Sequence, residues 1–231
     1  MSTLSKKNIT KSAFGMVAIG ALAFGLSACS APAADEPAES SAPSESAEAD
    51  PQPLATIADL SNGVDTQVTV DQGFVDAITS LGLTPGVVGD ATFTDGVFSF
   101  PITGGNVDYY DPAEDYRPYV QGVIEHDGSG LSLTGGDTVV ELTDFVIDPG
   151  TSELTGTVSV NGEVAAEDVL IFDLYGGTLK PLQMEGTNAV LEGTTVHISD
   201  AAAGLLNDTF MTDAVPEQFL VGVAKITAAT E

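Results

Sequence analysis

The strongest constraint on this chain is a two-residue alternation of apolar and polar side chains, interrupted again and again by glycine-containing turn pairs. The alternation recurs in VDTQVTV, ATFTDGVFSF, YVQGVIEH, TVVELTDFVID, ELTGTVSVNG, TTVHIS and FLVGVAKIT. Side chains that switch face at every residue belong to strands with one face on a core. Thr94-Asp95-Gly96, Asp127-Gly128, Gly135-Gly136-Asp137, Asp148-Pro149-Gly150, Asn161-Gly162 and Gly176-Gly177 mark turns between such runs. Asn-Gly and Asp-Gly in that setting are the strongest short-range hairpin signals.

Two segments break the period and read as short helices. Asp71 to Leu81 carries Phe74, Ile78 and Leu81 on one stripe, and Asp200 to Phe210 turns Leu205, Leu206 and Phe210 inward behind Ser199 or Asp200 as cap. The expected fold is all-β, a mostly antiparallel, β-sandwich-like sheet with two short helices, in one domain from Leu54 to Glu231.

Residues 1–28 read as a lipoprotein signal peptide. Lys6, Lys7 and Lys11 precede an apolar run from Ala13 to Ala28 that is shorter than the roughly 20 residues a spanning helix needs. Leu26-Ser27-Ala28-Cys29 ends the run as a lipobox, so Cys29 is the expected lipidation site. An ordinary secretory leader would instead leave Cys29 as an exposed thiol. Cys29 is the chain's only cysteine, which excludes a disulfide, a thiolate metal site or a cysteine nucleophile from the domain. Ser30 to Pro53 is Ala, Ser, Pro and acid with nothing to bury, a tether of roughly 25–30 Å as a flexible coil. The expected location is extracytoplasmic, on the outer face of the cell membrane, with the lipid anchor as the membrane contact.

Charge narrows the partners. The chain has 34 acids against six Lys and Arg, a formal net charge of −28. With the leader removed, only Arg117, Lys180 and Lys225 remain as cations. Such a body is repelled by nucleic acid and by anionic headgroups, so nucleic-acid binding is excluded. No nucleophile elbow, paired-histidine zinc motif or phosphate loop occurs, and no enzyme activity is expected. His197, in TTVHIS, faces away from Val196 and Ile198 and reads as a solvent-side or edge residue.

Two stretches hold the candidate binding residues. Asp108 to Tyr119, DYYDPAEDYRPY, contains Tyr109, Tyr110, Tyr116, Tyr119 and Arg117. It reads either as an aromatic contact surface or lid, or as a surface loop covering a sheet edge. Asp108, Asp111, Glu114 and Asp115 could make a weak calcium loop, although their spacing is not that of an EF-hand. In YVQGVIEH, Val120, Gly122, Ile124 and His126 share one face, so His126 points with the apolar side, just before the Asp-Gly turn. It reads as a hairpin residue bonded to backbone, with a ligand contact beneath the turn as the alternative.

The stretch VQGVIEHDGSGLSL, with the strand pair VVELTDFVIDPGTSELTGTVSVNG, resembles the second half of HtaA-type domains of Gram-positive surface haem-uptake proteins, and GFVDAI resembles their early helix. The resemblance implies a β fold that takes haem or a haem protein, with a helix tyrosine on the iron and a histidine supporting it. His126 matches that histidine. Gly73 stands where the family has serine, and Ala77 where it has the ligating tyrosine. The chain therefore reads as a non-catalytic binding module with a degenerate haem site. The alternative is an envelope interaction domain that meets a protein partner and takes no small molecule.

Overall fold

Each alternating run becomes a strand, and the strands pair into one sheet. The computed structural model describes residues 51–230; the leader, Cys29 and most of the tether lie outside the described residues. In chain order the elements are β1 (Ala55–Ile57), β2 (Asp65–Val70), α1 (Gln72–Ser80), β3 (Thr84–Gly89), β4 (Thr92–Thr94), β5 (Val97–Pro101) and β6 (Gly104–Tyr109). There follow β7 (Val120–Gly135), β8 (Thr138–Asp148), β9 (Glu153–Val160), β10 (Glu163–Tyr175), β11 (Gln183–Glu185), β12 (Asn188–Ile198), α2 (Asp200–Phe210) and β13 (Leu220–Ala229). The fold is all-β and antiparallel with two short helices, as the alternation implies.

The sheet runs β1-β6-β7-β8-β9-β10-β12-β13-β2-β5-β4, with β3 on β7 and β11 on β12 outside that path. Its two ends are joined by the chain itself. Only Ile102 and Thr103 separate β5, which pairs with β2, from β6, which pairs with β7. Thr103 fastens the junction, donating from its N–H at 2.8 Å and its hydroxyl at 3.1 Å to the Glu125 carbonyl and accepting the Asp127 N–H at 2.8 Å. A sheet linked in this way must curl, and its two halves face each other across an apolar interior like the layers of a sandwich. Eight or so strands curled together leave an interior that side chains fill or that one small ligand occupies.

Both helices lie toward one end of the curl, because α1 follows β2 and α2 follows β12. The Asp71 carboxylate caps α1 by accepting the Gly73 N–H, and Phe74 and Ile78 are buried beneath it. The Ser199 hydroxyl caps α2 by accepting the Ala202 N–H, with Ala202, Ala203 and Leu206 inward. Leu205 and Phe210 pack half-buried against the same core. Beneath them lie Val140, Val158 and Ile171, essentially inaccessible to water.

The Asp127-Gly128 pair does not make a hairpin. β7 runs straight through it to Gly135, and the turn comes at Gly136, one strand length later. Asp127-Gly128 forms instead a bulge between the His126–Phe145 and Gly130–Thr143 pairs, where three residues of β7 face one of β8. Gly128 has φ of +71°, and its N–H bonds the Asp144 carboxylate at 2.9 Å. At this bulge β7 changes neighbour on one side, from β6 to β3. The other pairs behave as turns: Asp95-Gly96, Pro149-Gly150 and Asn161-Gly162 each lie between consecutive strands, and Gly176-Gly177 opens a short 3-10 turn.

Candidate functional site

The interior opposite the helices is hollow. A cavity of about 640 Å³ lies inside the curl, lined by inward residues of β2, β5, β7, β8, β10, β12 and β13. Phe98, Phe100, Phe145 and Phe172 form its aromatic wall, with Ile124, Ile147, Val196 and Ile226 among the aliphatic ones. Its volume falls within the roughly 300–1,000 Å³ of small-molecule sites. Three connections contribute to its lining at one end: the β6–β7 loop through Arg117 and Pro118, the β8–β9 turn through Pro149 and Gly150, and the β10–β11 link through Gly176, Gly177 and Leu179.

His126 lines this cavity and is 1 % exposed. Strand parity carries it inward with Ile124, as its sequence position implies. Its Nδ1 lies 3.2 Å from the Phe145 carbonyl, and a carbonyl only accepts, so Nδ1 carries the proton. Nε2 is then the acceptor for the Thr66 hydroxyl at 2.8 Å. Burial is the main force on its pKa and pushes it down to about 4, against the Phe145 bond and the Asp127 charge, which pull upward. The ring is thus neutral at pH 7 with both nitrogens engaged. The Thr66 bond joins β7 to β2 across the interior, so His126 ties the two halves of the curl together.

Thr66 was not legible as a partner, although Thr66, Val68 and Val70 share one face of β2 and a lone threonine on such a face is a signal. Among the described residues, every buried side-chain nitrogen and oxygen has a hydrogen-bond partner. No buried polar side chain of the cavity wall is therefore left needing a partner from an occupant.

Of the Asp108–Tyr119 stretch, Tyr109, Arg117 and Tyr119 line the cavity and Tyr110 and Tyr116 do not. Tyr109 is buried and meets Tyr119 edge-on at 6.0 Å. Burial pushes the Tyr119 phenol upward. Tyr110 and Tyr116 pair with each other at 4.6 Å. Arg117 is held by its own loop, donating from Nη1 to the carbonyls of Glu114 at 2.6 Å and Tyr116 at 2.7 Å, and from Nη2 to that of Pro112 at 3.0 Å. Its guanidinium also lies 5.3 Å from the Tyr119 ring centre.

The four acids of this stretch are not gathered. Asp108 accepts the Thr56 hydroxyl, Asp111 accepts the Ala113 N–H, and among the described residues no group of three or more His, Cys, Asp or Glu side chains converges as a metal site. His197 sits half-buried with Nδ1 2.9 Å from the Gln218 carbonyl and its ring edge-on to Tyr175, outside the cavity lining. No residue of α1 lines the cavity, so Ala77 is apart from it.

No family model matches this chain, and no curated protein matches it. Among solved structures, the C-terminal domain of HtaA from Corynebacterium glutamicum is similar at 17% identity over 72% of this chain and 98% of that one, with a TM-score of 0.49. The heme binding protein HtaB from Corynebacterium glutamicum is similar at 9% identity over 77% and 96%, with a TM-score of 0.45. These are resemblances of whole domains, and no residue role is carried across from them.

Proposed function

We propose that the domain is a non-catalytic binding module that encloses one apolar small molecule inside its curled sheet. The observation that carries this reading is the apolar cavity of about 640 Å³, whose one buried histidine is neutral and bonded on both sides by the protein. A base or nucleophile needs a nitrogen free to meet a substrate, and His126 offers none. The interior is built to hold a molecule by burial.

Haem is the ligand the sequence resemblance implies, and haem iron needs an axial donor. Both His126 nitrogens are committed, and Ala77 has no donor and lies off the cavity; the phenols in the lining are the buried Tyr109 and Tyr119, and burial opposes ionisation of the latter. The helix tyrosine that the resemblance implies is thus missing, in keeping with a degenerate site. Titrating the chain with a neutral apolar fluorophore should give saturable one-to-one binding, and Ala224→Phe, which fills the cavity from β13, should abolish it. Tight one-to-one haem binding, unchanged in His126→Ala, would overturn the degenerate-site reading. Loss of neither fluorophore nor haem binding in Ala224→Phe would move the site elsewhere.

The lipobox at Cys29 and the acidic tether support display of this module on the outer face of the cell membrane. Cys29→Ser should move the protein from the membrane fraction to the medium or to unprocessed precursor. Unchanged partition into detergent would remove the anchor from the account.

A further inference from the structure

The mouth of the cavity carries a charge that the interior does not explain. Arg117, Lys180 and Lys225 are the cations among the described residues. The two lysines are each paired with a carboxylate, Lys180 with Glu192 at 2.9 Å and Lys225 with Glu185 at 3.2 Å. Arg117 lines the cavity, yet every acceptor it has among the described residues is a backbone carbonyl. Carbonyls orient a guanidinium without neutralising it. Of its five N–H donors, three are used, two from Nη1 and one from Nη2. The Nε–H and one Nη2–H remain, on a head held in place by its own loop and the Tyr119 ring.

We propose that the occupant is an amphiphile with one long hydrocarbon chain and one anionic head, the chain inside the cavity and the head at Arg117. This rests on the cavity being a binding site for an apolar molecule. The apolar wall suits a chain that asks for no hydrogen bonds, and a single fixed cation at the rim suits a single head. Glu114 and Asp115 of the same loop oppose an anion from close by, and only the more distant acids are screened, beyond about 8 Å at physiological salt. Contact with Arg117 decides the local preference. The head is a carboxylate if the ligand is a free fatty acid and a phosphate if it derives from a membrane lipid.

The test titrates hexadecanoate, hexadecyl phosphate and hexadecanol, which share one tail, into the full-length chain and into Arg117→Gln and Arg117→Lys. Wild type is expected to bind at least one of the two anions about tenfold more tightly than the alcohol, the worth of one charge-assisted hydrogen bond. Whichever anion binds better names the source. Arg117→Gln should remove the preference for the anions over the alcohol, while Arg117→Lys should keep part of it. If wild type binds all three equally, the head assignment fails and the cavity reading stands. If none of the three binds, both fail. The comparison of ligands on wild type holds whether or not either variant folds.

Discussion

The two ends of the curled interior are made from the same kind of side chain and behave in opposite ways. Under the helices, Leu133, Leu142, Ile171, Ile198 and Leu206 close around a void of only about 30 Å³, little more than a water needs. At the loop end the cavity is about 640 Å³. Phe98, Leu131, Phe172 and Val221 line both and form the floor between them. The hollow half is therefore not short of apolar residues. What it lacks is a covering element. α1 and α2 fill one end, while the other end is rimmed by Arg117, Pro149, Gly150 and Gly176, residues that border the space without filling it. Packing makes the first half carry stability and leaves the second half open.

The sharpest way to break this contrast is to truncate side chains on each side of the floor. Ile171→Ala, at a fully buried site in the packed half, should cost about 3–4 kcal/mol in urea unfolding, since the removed atoms leave a cavity that cannot collapse. Nearly as large is the expected effect of acid on His126, in the wall of the hollow half. Its folded pKa lies below the unfolded value, so between about pH 6.5 and 4 the unfolded chain binds a proton that the folded one refuses. That contribution is complete above pH 6.5 and is lost as pH falls toward 4, up to about 3 kcal/mol. Unfolding series at several pH values should show it as a difference between wild type and His126→Gln within that window; parallel curves would mean the histidine is not held neutral. The smallest effect belongs to Leu191→Ala, whose side chain already borders empty space, at about 1 kcal/mol or less. A loss equal to that of Ile171→Ala would show that the two halves are equally packed in solution.

Local rules carried much of this fold. Ser199 caps α2, one of the two caps expected there, and the parity of β7 pointed His126 inward before any partner was known. Other features depended on residues far apart in the chain. Asp127-Gly128 has the composition of a hairpin turn, but a bulge with glycine at positive φ uses the same residues, and only β8 and β3 decide between them. β10 escaped notice because register shifts between Val164 and Phe172 scramble its alternation. The partner of His126 is Thr66, 60 residues away, and the hollow itself arises from which strand faces meet and which end the helices cover. Arg117 stood out as a rare cation, but its place at a rim required the loop's own hydrogen bonds.

The pairing of β13 between β12 and β2 sets the order in which this protein can come into being. β2 begins the ring of long strands and β13 completes it, so residues more than 150 positions apart, such as Thr66 and Ile226, must meet before the wall exists. Contacts of such separation form slowly, because the loop they close is long. A chain that stops between α2 and Leu220 holds the β7–β8–β9 meander and both helices, yet it lacks the strand that joins β12 to β2 and encloses the interior. The enclosed interior thus arises all at once, at the last strand.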